Sequence, residues 1–383
     1  MRVDWIDRRN AMSTNVLMVS TSYPADLNDW RGLFIRHLAD ALAAREDLML
    51  AFWAPPGEVH PAVHRVCSPA DDHWFAKLVG AGGIAQLLRR RPLRALLTAV
   101  ALLRRLRSMY RRELTDIYHI NWLQNALPLP KNGRPALVTV LGADMRLLSL
   151  PGMPALMRRI CRHRKVMICP NAEWMMPDLT RIFGRVAKVR HIAFGIDPTW
   201  FALQRRLVAQ RSSQWLVVAR VTRDKIGDLF EWGKAVFKDR QRTLHLFGPL
   251  VEEMQFPDWI VYHGPATPEN LRAEWFPIAH GLITLSRHSE GRPQVMLEAM
   301  AAALPIIATR LAAHEDLLRH QQTGWLVDSA REFEAAILAL ESAETNTSIG
   351  TAARAQVRQE VGTWSDCAAR YAVAYGELLA DAT

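Results

Sequence analysis

Two glutamates, Glu290 and Glu298, stand eight residues apart in the stretch SRHSEGRPQVMLEAMAAALPIIATR, which runs from Ser286 to Arg310. The apolar run GLITLS (281–286) reads as a buried strand, and PQVMLEAMAAAL reads as a helix. Proline stands at that helix's start, where a missing N–H costs nothing. Glu290 therefore falls on a strand-to-helix loop, and Glu298 falls two turns inside the helix. Gly291, Arg292, Pro293, Gln294 and Val295 make up the junction. Its free N–H groups and the positive end of the helix dipole suit a phosphate. A carboxylate just ahead of a bound phosphate suits the hydroxyls of an attached sugar. A carboxylate two turns on, with two acceptor oxygens, matches the paired hydroxyls of a ribose. The order sugar, diphosphate, ribose is that of a nucleotide sugar.

Arg220 and Lys225 complete the charge pattern. They follow the apolar run QWLVVAR (214–220) in WLVVARVTRDKIGDLF. Two cations at a strand's carboxyl end, facing a helix N-terminus, could clamp a diphosphate and stabilise its charge as it leaves. Taken singly, these residues read equally as a capping glutamate, a solvated helix glutamate and two surface cations. It is their joint occurrence that points to a site.

The elements that would position them alternate throughout the chain. Short apolar runs at 15–21, 48–54, 116–122, 136–142 and 165–170 are separated by helical patterns, and the series restarts at 214–220, 243–248, 259–264, 281–286 and 305–310. Such alternation predicts parallel sheets with helices on both faces. The expected architecture is α/β, with two doubly wound Rossmann-like domains facing a cleft. The first spans 13–200 and the second 205–364, with a last helix at 365–383 that could pack back on the first domain. Ligands of open parallel sheets bind beyond the carboxyl ends of the strands.

The stretch SEGRPQVMLEAMAAALPIIAT resembles the E-x7-E signature of retaining glycosyltransferases of family 4, whose fold is GT-B. The resemblance implies that Arg220 and Lys225 hold the donor diphosphate, that Glu290 orients the sugar and Glu298 the ribose. It implies retention of configuration and no metal cofactor. Gly32, in YPADLNDWRGLFIRHLADAL (23–42), matches a glycine at which the backbone approaches donor or acceptor, although a simple turn glycine reads nearly as well. VTVLGADM (138–145) is similar to a family stretch near the reacting sugar. It keeps Gly142 and Asp144 but has Leu141 where histidine is usual. His119, in IYHINW, stands near another strand end and reads first as a structural histidine, and beside that as a candidate cleft residue with Gly142 and Asp144. Leu304 replaces the glycine that usually ends the signature helix. FGP (247–249) and YHGPATPENL (262–271) match loops around the nucleotide base, and HIAFGIDPTWF (191–201) matches the interdomain passage. The resemblance covers most of the chain beyond residue 13, specifically in the second domain and loosely in the first.

Composition narrows the remaining choices. Half of the 383 residues are hydrophobic and 22% are charged, as in a folded globular protein. The four cysteines show no CxxC spacing, which argues against a zinc site and a disulfide framework and favours a reducing compartment. No apolar run is long enough to cross a bilayer. The N-terminus lacks the apolar stretch of a secretory signal; the leading residues read as an extension, or Met12 as the start. Residues 1–200 hold 29 basic and 16 acidic residues, so the +10 net charge belongs to the first half. It concentrates in LLRRRPLRALLTAVALLRRLRSMYRREL (87–114), where the stripe Leu93, Leu97, Val100 continues as Arg104, Arg107 and Arg111, and again in MRRICRHRK (157–165). Such a face suits lipid phosphates or a phosphorylated acceptor, or is a solvated helix end. No nucleic-acid motif accompanies it. VGAGGIAQLL (79–88) mimics a dinucleotide fingerprint but lacks the preceding strand and following acid.

The expected partners are thus a nucleotide sugar donor, a glycan or lipid-linked acceptor, and an anionic membrane surface, with no nucleic acid. The expected location is the cytoplasm, at the inner face of the membrane. A nucleotide-sugar epimerase of the same fold, or a catalytically silent glycan- or lipid-binding protein, are the alternatives.

Overall fold

The computed structural model describes residues 13–26, 29–83, 87, 91–206, 212–238, 241–288 and 290–380. The chain divides into two compact units. One extends to Phe194 and is taken up again at Trp364; the other is Gly195–Thr363. The segment 195–200, read from sequence as the end of the first domain, lies in the second. Ile196 bridges to Thr363, and Gln294 Nε2 donates to the Gly195 carbonyl at 3.0 Å.

The first unit is built on a seven-stranded parallel sheet in the order β3-β2-β1-β4-β5-β6-β7. The strands are β1 (Thr14–Val19), β2 (Leu48–Trp53), β3 (His64–Arg65), β4 (Ile117–Asn121), β5 (Ala136–Val140), β6 (Val166–Pro170) and β7 (Lys188–Val189). Its central strands are apolar on both faces, as two-sided helix cover requires. Along β1, Val16 and Met18 pack with the Leu33–Ala43 helix, and Leu17 and Val19 pack with the Pro92–Arg112 helix. The C-terminal helix Trp364–Ala380 belongs to this unit. It buries Tyr371, Ala374, Tyr375 and Leu378 in the same core layer as Val16 and Met18. Its Glu377 pairs with Lys188 and Arg190.

The second unit is built on a six-stranded parallel sheet in the order β10-β9-β8-β11-β12-β13. Its strands are β8 (Ser213–Val218), β9 (Arg242–Phe247), β10 (Ile260–Gly264), β11 (Gly281–Thr284), β12 (Ile306–Thr309) and β13 (Trp325–Val327). Trp215, Val217, Ile283 and Ile307 face a core closed by the helices Leu229–Phe237 and Ala330–Glu341. The helix Gln294–Ala301 contacts the long Ala343–Glu360 helix. No helix among the described residues is long and apolar enough to cross a membrane. The dinucleotide-like stretch begins at the end of the Pro69–Gly80 helix, and its Ile84, Ala85, Gln86 and Leu88 lie outside the described residues.

Candidate functional site

β8 and β11 are adjacent parallel strands, with Trp215 opposite Gly281. The chain leaves them in opposite directions, toward β9 from β8 and toward β12 from β11. This is the topological switch point of the sheet, the place at which open parallel sheets bind ligands. Lys225 comes from the connection after β8 and Glu290 from the connection after β11.

The two loops are fastened to each other by backbone. The Arg287 N–H donates to the Asp224 carbonyl at 2.7 Å. Gly227 adopts φ +54°, and a Cβ there would lie 1.8 Å from the Leu285 carbonyl oxygen, so only glycine permits the approach. Thr222 caps the short Arg223–Ile226 helix through the Lys225 N–H at 3.3 Å, which fixes where the lysine starts. The Arg287 guanidinium pairs with Asp228. The far end of the signature helix is also held. Leu304 N–H donates to the Ala299 carbonyl at 2.8 Å and Ala303 N–H to Met300 at 3.0 Å, with Ala303 at φ +53°. That is a Schellman ending in which alanine takes the left-handed position and the buried Leu304 supplies the apolar contact. The missing glycine therefore leaves helix termination intact.

The Lys225 ammonium and the Glu290 carboxylate form an ion pair, with only 14% and 15% of the side chains exposed. Burial draws the lysine pKa down, Glu290 draws it back up, and the positive charge of Arg220 draws it down again. Arg220 is exposed and close enough to Lys225 to repel it. The two expected phosphate ligands are thus neighbours, and one of them is engaged by the expected sugar ligand. Glu298 keeps some accessible surface, yet its carboxyl is enclosed by protein. Burial pushes its pKa up to about 8, Asp197 adds to the rise, and Arg272 opposes it. Gly291 and Pro293 precede the Gln294–Ala301 helix, with Pro293 at the cap position. Gln294 and Val295 are half-buried on its first turn.

Sequence reasoning missed His314. It is fully buried on the Ala312–Glu315 turn after β12, with Nδ1 2.8 Å from the Thr309 carbonyl. Among the described residues its Nε2 has no hydrogen-bond partner. Glu290 and Lys225 both act on its charge. A histidine in AAHEDL has no sequence partner to betray it; only the sheet brings β12 beside β11.

Other expected site residues do structural work instead. The Arg292 side chain is 6% exposed and pairs with Asp316, itself 6% exposed, at 3.3 Å, so it anchors the loop. His119 has no exposed surface. Its ring nitrogens contact Tyr375 Oη at 2.7 Å and Thr139 Oγ1 at 2.9 Å, and its pKa is pushed down to about 3 by burial. It pins the C-terminal helix to the sheet. Asp144 is likewise buried. Its carboxylate accepts from Leu123 N–H at 2.9 Å and Leu141 N–H at 2.7 Å, tying the turn after β4 to the Gly142–Leu148 helix. Burial lifts its pKa to about 7 while those two donors pull it back. Gly142 is buried at the same helix start, and Leu141 packs into the core. Gly32, at φ +74°, opens the Leu33–Ala43 helix; a Cβ would come 2.7 Å from Ser22 Oγ. Asp144→Ala is expected to cost about 2 kcal/mol, from two buried donors left without acceptors, and to leave nucleotide binding unchanged. Urea unfolding alongside nucleotide titration checks both halves.

A cavity of about 430 Å³ opens at the carboxyl ends of β11, β12 and β13, lined by residues including Asp228, Ser286, Arg287, Thr309, Arg310 and Asp328. Neither Lys225, Glu290 nor Glu298 lines it.

Residues 215–342, one third of the chain, match the family model described as glycosyl transferases group 1. No curated protein matches. Among solved structures, the chain is similar to sucrose-phosphate synthase from Thermosynechococcus elongatus at 16% identity, covering 96% of this chain and 100% of that one, with a TM-score of 0.71. It is similar to a glycosyltransferase from Rickettsia africae at 13% identity, with 96% and 99% coverage and a TM-score of 0.67. It is also similar to Anabaena HepE in complex with UDP-glucose, at 12% identity, 95% and 100% coverage and a TM-score of 0.63. The two parallel sheets of seven and six strands are those of the GT-B glycosyltransferase fold, and the stretch similar to group 1 glycosyl transferases lies within the second unit.

Proposed function

We propose that this chain is a retaining glycosyltransferase, of the family 4 kind, that moves a sugar from a nucleotide diphosphate to a hydroxyl of a glycan or lipid-linked acceptor in cell-surface polysaccharide or glycolipid assembly. The observation that carries the reading is the Lys225–Glu290 pair at the β8/β11 switch point, beside Arg220 and ahead of the Gln294–Ala301 helix. The donor diphosphate would meet Lys225, Arg220 and the first N–H groups of that helix. The anion competes with Glu290 for the ammonium, releasing the carboxylate to the sugar hydroxyls. As the glycosidic bond to the phosphate breaks, the two cations stabilise the growing negative charge on the leaving oxygen. The acceptor hydroxyl attacks from the same face, giving up its proton to the departing phosphate. The positive charge comes from side chains, so the reaction requires no metal ion and persists in EDTA.

The HepE structure with UDP-glucose makes uridine diphosphate sugars the first donors to try. A panel of nucleotide sugars screened by thermal shift names base and sugar together, since a ligand bound to the folded state raises its melting temperature. The chosen donor is then incubated with and without membrane extract. Transfer only with extract supports the reading. Conversion of the donor without any acceptor indicates an epimerase, and binding without turnover a silent binding protein.

The acceptor side is proposed to meet an anionic membrane through the Pro92–Arg112 helix. Its core face is Ala95, Leu102, Leu106 and Met109, while Leu93, Leu96 and Leu97 are 79%, 62% and 71% exposed. Arg104, Arg107 and Arg111 are exposed further along the helix. Apolar insertion followed by basic contact suits an anionic leaflet, at about 1 kcal/mol per cation. The Leu93→Ser, Leu97→Ser double variant is expected to lose at least about tenfold in sedimentation with phosphatidylglycerol vesicles. Unchanged sedimentation would remove the membrane from the proposal.

A further inference from the structure

A second cavity, of about 330 Å³, lies at the opposite end of the second sheet from the switch point. Its lining includes Gln204, Arg205, Ala303, Thr347, Thr351 and Arg354. Residues 203–205 precede β8, Ala279 precedes β11 and Ala303 precedes β12, so the cavity sits at the amino ends of the strands. Thr347, Thr351 and Arg354 share one face of the Ala343–Glu360 helix, at helical spacings of four and three.

The charge balance of this cavity is one-sided. Arg205 donates to the carbonyls of Ala303 and Ala279, each at 2.7 Å, and to Asn346 Oδ1 at 2.8 Å. Arg354 donates to the Leu203 carbonyl at 2.7 Å. All of these acceptors are neutral. Among the described residues the buried Nε–H of each guanidinium also has no acceptor, as is true of Arg292. Other deeply placed arginines of this unit have carboxylate partners: Arg292 with Asp316, and Arg242 with Glu341. Burial and the charge of Arg354 push the Arg205 pKa down to about 10; burial and the charge of Arg358 lower that of Arg354. Two mutually repelling guanidiniums, Arg205 and Arg354, therefore share one cavity lining with Thr347 and Thr351.

We propose that this cavity binds a phosphate or a phosphate monoester, held by Arg205 and Arg354 with the Thr347 and Thr351 hydroxyls. A tetrahedral oxyanion offers the negative charge that the described residues around these two arginines do not supply, and several acceptor oxygens for guanidinium donors. Because the cavity lies away from Lys225 and Glu290, its occupancy does not depend on the donor-site reading.

The test uses the full chain, titrated with sodium phosphate against sodium chloride of equal ionic strength by calorimetry. Three proteins are compared: the native sequence, Arg354→Gln, and Lys225→Ala. Saturable phosphate binding that survives Lys225→Ala and falls at least tenfold in Arg354→Gln is the expected result. Thr351→Val, on the exposed helix face, replaces Arg354→Gln if that variant melts early, and is expected to weaken binding severalfold. Absence of saturable binding, or binding lost in Lys225→Ala and kept in Arg354→Gln, would overturn the site; the latter pattern assigns the anion to the switch point instead. Glucose 6-phosphate in a parallel titration separates the two sources. Tighter binding than phosphate assigns a monoester, and equal or weaker binding assigns the free ion.

Discussion

Lys225→Ala is expected to reduce sugar transfer by about two to three orders of magnitude, the loss typical of removing one donor aimed at developing transition-state charge. That corresponds to about 3–4 kcal/mol of barrier. The variant also removes the partner of Glu290, whose side chain is only 15% exposed. An unpaired, half-dry carboxylate costs stability, so some loss in melting temperature accompanies the kinetic loss. The two effects separate in the double variant Lys225→Ala, Glu290→Gln. Neutralising the stranded carboxylate should restore most of the stability, while transfer stays low. If the double variant recovers both stability and turnover, the pair is structural and the assignment of Lys225 to the leaving diphosphate fails. Circular dichroism and steady-state kinetics on the single and double variants decide it.

Glu298→Gln should have the second largest effect, and its direction follows from proton linkage. The Glu298 carboxyl is raised from an ordinary value of 4.5 to about 8 in the folded chain. An acid raised in this way costs nothing while both states are protonated, below about 4.5. As pH climbs toward 8 the unfolded chain ionises first, and the folded state loses relative stability. Above 8 the penalty is constant. Glutamine carries no such penalty, so the variant should be about as stable as the native protein near pH 5 and more stable at pH 8.5, by on the order of 5 kcal/mol. Binding should show the opposite trade. Ribose hydroxyls donate to a carboxylate, so nucleotide binding at pH 7 is expected to release close to one proton, seen as a buffer-dependent heat in calorimetry. Glu298→Gln should release none and bind about tenfold more weakly. Parallel melting profiles at both pH values, together with buffer-independent heats, would remove Glu298 from the ribose site.

Most of the fold was legible because periodicity is a local property. Every apolar run singled out in the chain is a strand of one of the two sheets, from Asn15 in β1 to Ile307 in β12. The strands that escaped were β3, β7 and β13, of two or three residues at sheet edges, too short to show a pattern. The Gln294–Ala301 helix was legible for the same reason, with its proline start. Spacing along one loop and one helix likewise set Glu290 and Glu298 apart before any coordinates, as did the place of Lys225 after an apolar run.

What tertiary structure alone decided is which polar side chain meets which. Lys225 and Glu290 are 65 residues apart in the chain, and their ion pair exists because β8 and β11 are neighbours. Arg292 looked like a ligand until Asp316 took its charge; Asp144 looked like a cleft residue until Leu123 and Leu141 claimed its oxygens, and Tyr375 and Thr139 give His119 the structural place that its sequence favoured. Arg205 and Arg354 drew no notice in the sequence, since a shortage of counter-charge is a property of a place in space. Hydrophobic period and glycine, proline and cap chemistry act between near neighbours, so a string of residues records them. Desolvation and pairing of charge act between residues the chain brings together only once it is folded.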